Sequence, residues 1–171
     1  LHGLQLWVAL PSDDEDGEPS FEHHPAASVP TIELPSASIR LVAGTGWGAT
    51  SPVGVSSPLV LAQIDLVDAA QVSLDAEHPE RAVLAVDGRV TVDAVALDPG
   101  QLAVITPGSR PVVRGPGRCM LLGGDPIGPR RIWWNFVHSD PDRIEEAKAA
   151  WAAQRFPLVP DDHDPWVPAP A

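Results

Sequence analysis

Between Thr31 and Gly124 the chain is a succession of short runs in which apolar and polar residues alternate, broken by turn residues at roughly ten-residue spacing. Alternation with period two puts successive side chains on opposite faces of a strand, and a helix has no use for it. The runs are Ile32–Leu34, Ser38–Val42, Leu59–Val67, Gln71–Leu74, Arg81–Val86, Arg89–Asp93, Gln101–Thr106, Arg110–Arg114 and Arg118–Leu122. Asp87-Gly88, Asp98-Pro99-Gly100, Pro107-Gly108 and Gly115-Pro116-Gly117 separate several of them. These residues either accept positive φ or carry a preset φ, so each marks a turn. Many short strands joined in this way close into a sandwich or barrel. Asp87-Gly88 between alternating runs also predicts a hairpin joining Arg81–Val86 to Arg89–Asp93.

The flanks read differently. Leu4, Leu6 and Val8 share one face of an expected strand that Pro11 ends. Ser12 to Glu22 carries six acids and almost nothing apolar, the pattern of a solvated, mobile loop. Ile132 to Val137 is expected to be a last strand, apolar on both faces and therefore covered on both. One helix is predicted: Asp140 caps it, Pro141 suits its first position, and Ile144, Ala147 and Trp151 form its apolar stripe, with an end near Gln154. From Pro157 the proline-rich tail reads as extended.

Composition removes several classes. A net charge of −12 disfavours general nucleic-acid binding, which needs clustered Lys and Arg. No apolar run is long enough to span a membrane as a helix, and no signal peptide is recognisable. The single Cys119 forbids an intrachain disulfide and fits a reducing compartment. The chain opens on Leu1 and its one Met is Met120, so it reads as a piece of something longer.

Candidate chemistry is sparse. There is no Cys-x-x-Cys, His-x-His or His-Glu-x-x-His among the six histidines. His23 and His24 are adjacent, and strand neighbours point apart, so they are poor partners on one ion. His78 stands between Glu77 and Glu80. These five residues (His78, Glu77, Glu80, His23 and His24) are the fallback metal ligands should the chain bind one, and no metal, catalytic or cofactor site is expected. Gly44-Thr45-Gly46-Trp47-Gly48 lacks the Lys of a phosphate loop and reads as a loop or bulge. Cys119 reads as a buried structural thiol. Asn135, set in the aromatic run, needs a hydrogen-bond partner if buried. Trp133, Trp134, Asn135, Phe136 and Trp7 are the candidate interface.

Leu121-Leu122-Gly123-Gly124-Asp125-Pro126-Ile127-Gly128 followed by Arg131-Ile132-Trp133-Trp134-Asn135-Phe136-Val137 resembles the signature of bacterial pirin-like proteins. Ile144-Glu145, Ala147-Lys148 and Trp151, then Arg155-Phe156-Pro157-Leu158-Val159-Pro160, match that family's C-terminal helix and tail, and His2 to Val8 matches a mid-chain strand. The resemblance covers nearly the whole chain and is weakest in the acidic stretch. Ala9 departs from the family, which often has Asn there. The resemblance implies a cupin fold, a double-stranded β-helix, and places this chain at the end of the first of two tandem barrels and through all of the second. Pirins bind an iron-type metal in the first barrel through three His and one Glu, and some act as quercetin 2,3-dioxygenases. Those ligands precede the His2–Val8 strand, so none carries over to a residue here. In the second barrel only His78 stands near a ligand position, and Asp98 to Arg114 contains no His.

The resulting expectation is an all-β cupin barrel with one C-terminal α-helix and an extended Pro-rich tail. It has a strand over 1–11, an acidic linker over 12–30, the barrel over 31–139, and helix and tail over 140–171. The expected role is a metal-free module supporting a metal-dependent first barrel. The alternatives are part of a quercetin 2,3-dioxygenase-like Fe(II) oxygenase, and a protein-binding regulator. Expected partners are the N-terminal cupin half or a second copy, with no nucleic acid and no membrane. A cytoplasmic location is expected.

Overall fold

The computed structural model describes residues 3–158 and 166–170; His2, His163 and the tail over 159–165 lie outside them. The chain divides into two compact units, 18–126 and 1–17 with 127–171. The barrel strands lie in the first of these units, and residues 127–139 of the span expected for the barrel lie in the second.

In the first unit the strands are β1 (Thr31–Leu34), β2 (Ala37–Gly46), β3 (Ala49–Thr50), β4 (Leu59–Leu66), β5 (Gln71–Ser73), β6 (Glu80–Gly88), β7 (Val90–Val92), β8 (Val95–Leu97), β9 (Leu102–Ile105), β10 (Val112–Arg114) and β11 (Gly117–Gly124). One antiparallel sheet runs β1-β2-β4-β11-β6-β9, with β3 paired to β2, and a second runs β5-β10-β7-β8. The alternation read from the sequence is realised. Burial along β4 alternates at every residue, and its inward side chains Val60, Ala62, Ile64 and Leu66 share one core with Val72, Val90, Val92 and Val113 of the second sheet and with Leu74 just after β5. Ile39, Leu41, Ile64 and Val83 have no solvent exposure. Burying each contributes about 1.5–3 kcal/mol.

The Asp87-Gly88 hairpin does not form. β6 pairs with β11 and β9, whereas β7 pairs with β10 and β8, so this turn carries the chain from one sheet to the other. Gly115-Pro116 likewise separates β10 of one sheet from β11 of the other. Gly88 (φ +72°) lies so close to Gly117 that a Cβ would sit 2.7 Å from its Cα. The two crossings thus pass back to back, and glycine is required by that approach as well as by φ. The tight hairpin instead joins β7 to β8 through Asp93-Ala94, with Asp93 at φ +52° and its carboxylate accepting from Val112 N–H at 2.9 Å. The glycine-rich 44–48 segment is also no loose loop. Gly44 and Gly46 belong to β2, which is bulged between Leu41 and Ala43, and Trp47-Gly48 turns into β3.

In the second unit, described by itself, residues 3–11 form no strand. The expected strand over Ile132–Val137 is a hairpin of β12 (Arg131–Trp133) and β13 (Phe136–His138), turned at Trp134-Asn135 with Trp134 at φ +49°. The helix α1 (Pro141–Ala152) starts as predicted: the Asp140 carboxylate accepts from Asp142 N–H at 2.9 Å, and Pro141 follows the cap. Glu145 and Lys148 pair at 2.6 Å on its surface. No helix among the described residues is long and apolar enough to cross a membrane.

Candidate functional site

Among the described residues, polar side chains gather at two of the cavities considered as sites. The first is one end of the β-barrel, where Gly46, Trp47, Val60, Arg81 and Leu121 surround a cavity of about 10 Å³ together with the loop residues Asp75, Glu77 and His78. Arg81 points inward from β6 and is only 4% exposed. Its guanidinium donates to the carbonyls of Asp75 and, at 2.8 Å, of Ser109, tying two loops together across the barrel end. Its stem lies on Gly123, where a Cβ would come within 2.8 Å of Arg81 Cγ. His78 is 5% exposed and pairs through Nδ1 with Asp125 at 3.2 Å.

The metal candidates do not converge. His78 reaches Asp125 and neither Glu77 nor Glu80 pairs with it; both glutamates are exposed. His24 pairs with Glu22 at 3.0 Å, and His23 is exposed beside it. Among the described residues no three His, Cys, Asp or Glu side chains gather as metal ligands. The chemistry of the barrel end points the same way. A fixed guanidinium charge lines the cavity beside a single imidazole, and the two acids of the lining, Asp75 and Glu77, are exposed, so a divalent cation would meet a buried like charge and one nitrogen donor. These residues do not fit an iron-type metal.

The second place is in the other unit, a groove of about 480 Å³ lined by Glu15, Asp16, Asn135, Phe136, His138, Arg143 and neighbouring apolar side chains. Here the acidic stretch departs from expectation. Glu15 is buried, 2.7 Å from Arg130 Nε, and accepts from Ser139 N–H at 2.8 Å and from Ser139 Oγ at 2.5 Å. Asp16 pairs with Arg143. Acids with cationic and hydroxyl partners waiting on the hairpin and helix are pinned, whatever their composition suggests. Burial opposes ionisation of Glu15, but the Ser139 hydrogen bonds, with His138 and Arg130, outweigh it and hold its pKa below the usual value. Asp16 is held down chiefly by its Arg143 hydrogen bond. His138 Nδ1 accepts from Asp140 N–H at 2.9 Å.

The expected interface residues separate. Trp133, Trp134 and Phe136 are half-buried in an aromatic cluster with Trp151, Phe156 and Trp166, the rings of Trp151 and Trp166 stacked at 3.9 Å. Asn135 is exposed at the hairpin turn and needs no protein partner. Trp7 remains 56% exposed, with Leu4, Val8 and Leu10 exposed beside it. The sequence does not single out Arg81, because an Arg opening an alternating run looks like any surface cation. Its odd-numbered phase with the core residues Val83 and Ala85 was the available signal.

Two antiparallel sheets sharing one apolar core, with strands passing from sheet to sheet at glycine turns, define a two-sheet β-barrel, and the family match makes it a cupin. Residues 61–157 match the pirin C-terminal cupin domain, and the chain belongs to the pirin family. It is 46% identical over 173 residues to a pirin-like protein of Caulobacter vibrioides, covering 99% of this chain and 60% of that protein. A crystal structure of quercetin 2,3-dioxygenase from Acinetobacter baumannii superposes with a TM-score of 0.87 at 30% identity, over 96% of this chain and 57% of that one. A second quercetin 2,3-dioxygenase structure from that organism shares the fold with a TM-score of 0.82 at 22% identity, over 88% and 55% of the two chains. The chain spans about half to three-fifths of the length of the curated relatives it matches.

Proposed function

We propose that this pirin C-terminal cupin domain works without a metal of its own, as the supporting barrel of a two-barrel, cytoplasmic protein whose Fe(II)-dependent chemistry lies on another barrel. The observation that carries this reading is Arg81. A barrel end closed by a buried guanidinium, with one imidazole beside it, is built for a fixed protein charge. The whole protein would then be an oxygenase of the quercetin 2,3-dioxygenase type, and the exposed apolar run Leu4, Trp7, Val8 and Leu10 would be where this module meets its first barrel. The buried pairing of Glu15 leaves the acidic stretch less to offer a regulatory partner.

The test is elemental analysis of the purified chain after incubation with Fe(II) and removal of free metal. Near-zero iron is the expected result. About one iron per chain would overturn the reading, and His78→Ala and His24→Ala would then show which histidine holds it. Quercetin turnover by a full-length relative, absent from this chain, tests the oxygenase assignment separately.

A further inference from the structure

Arg81 Nε and His78 Nε2 are both buried, both side chains line the small cavity at the barrel end, and neither nitrogen has a partner among the described residues. The other groups of the two side chains are committed. Arg81 Nη1 donates to Asp75 O and Nη2 to Ser109 O at 2.8 Å, and His78 Nδ1 meets the Asp125 carboxylate at 3.2 Å. Arg81 is 4% and His78 5% exposed, so bulk solvent does not serve the two free atoms. Buried polar groups in folded proteins find a protein partner or an ordered water, because an orphan has lost its hydration for nothing.

The cavity limits what can serve them. Its volume of about 10 Å³ is room for about one water. A sulfate, phosphate or carboxylate is excluded by size, and the Val60 and Leu121 side chains in the wall offer no hydrogen bond. Donor and acceptor roles then select among occupants of one heavy atom. Arg81 Nε–H always donates. A water accepts from it and also serves His78 Nε2 in either proton state, donating to its lone pair or accepting from its N–H. A halide accepts only, so it needs a proton on Nε2 while Nδ1 faces a second acceptor in Asp125. A metal ion needs the Nε2 lone pair and meets the guanidinium charge.

We propose that the barrel end is a binding site for a single ordered water, which bridges Arg81 Nε and His78 Nε2 and completes a relay Asp125–His78–water–Arg81. Through the two carbonyl bonds of Arg81 the relay joins the loop between β5 and β6, the loop between β9 and β10, and Asp125 just after β11. Three connections that lie far apart in the sequence are thus held by one interior ligand. With its free nitrogen committed to this water, His78 has nothing left for a metal, which ties the proposal to the metal-free reading above.

The test is a high-resolution crystal structure of the chain grown in sodium bromide, joined to water–protein NOE spectra in solution. One light-atom peak is expected within about 2.7–3.2 Å of both nitrogens, with no bromide anomalous signal. In solution a water cross-peak to Arg81 Hε is expected, from a water that exchanges more slowly than those of the surface. His78→Phe keeps a flat ring and removes the bridging nitrogen, and is expected to abolish that cross-peak, since a held water needs two or more polar partners. An anomalous peak at the site, a peak bonded to only one of the two nitrogens, no peak at all, or a cross-peak that survives His78→Phe would overturn the proposal. The crystal structure needs no variant, so it decides the matter even if His78→Phe fails to fold. An absent peak together with near-zero iron in the elemental analysis sinks the water alone, whereas iron that is lost on His78→Ala sinks the metal-free reading as well.

Discussion

Truncation of Arg81 tests whether the barrel end is braced by this one side chain. Arg81→Ala removes two hydrogen bonds from a charged donor, each contributing about 1.5–3 kcal/mol. Two effects offset part of that loss. The Asp75 carbonyl belongs to an exposed residue and regains water, and a buried charge with its desolvation cost disappears. The net expectation is a destabilisation of about 2–4 kcal/mol. Gly123 makes the reasoning sharper. A Cβ there would meet Arg81 Cγ at 2.8 Å, with Glu80 O and Val60 Cγ1 at 3.1 Å. Gly123→Ala alone therefore costs about 1–3 kcal/mol through overpacking. In the Arg81→Ala background its tightest contact is gone, so the double variant is more stable than the two losses added together, with a coupling of about 0.5–3 kcal/mol. Urea unfolding of the four proteins at one pH measures the cycle. Strict additivity, or an Arg81→Ala variant as stable as the parent, would refute the brace.

Two further outcomes follow from the titratable groups. Glu15 ionises more readily in the folded chain than in the unfolded one, so its contribution is present above the unfolded pKa and fades as pH falls through the lower folded value. Glu15→Gln is expected to lower the melting temperature near neutral pH and to flatten its loss with acid, read by thermal melts across a pH series and by faster exchange of the Ser139 amide. Cys119 is buried, and burial, aided by the Asp65 charge, pushes its thiol up to about 12. The native chain should resist a soluble disulfide reagent at neutral pH and consume one equivalent on unfolding, with fast native labelling as the contrary result.

The sequence alone determined most strands of the barrel, the core alternation and the helix with its Asp140 cap. Each depends on neighbours a few residues apart, and period, turn residues and capping side chains are local quantities. The family motifs were likewise legible as strings of residues. Partner choice was not. Asp87-Gly88 looks the same whether the next strand folds back beside β6 or crosses to the other sheet, and only the competing partners β9 and β11 decide it. The acidic stretch shows its composition in the sequence, but Arg130 and Ser139 stand more than a hundred residues away, and their arrival at Glu15 turned a solvated loop into a pinned one. The aromatic run is a hairpin in which the Trp133 ring stacks on Phe136 and meets Trp134 edge-on, contacts between side chains that a single flat strand would have set on opposite faces. Arg81 makes the same point at the candidate site: strand phase could place it inward, but only the folded loops supply the two carbonyls that make a buried guanidinium tolerable.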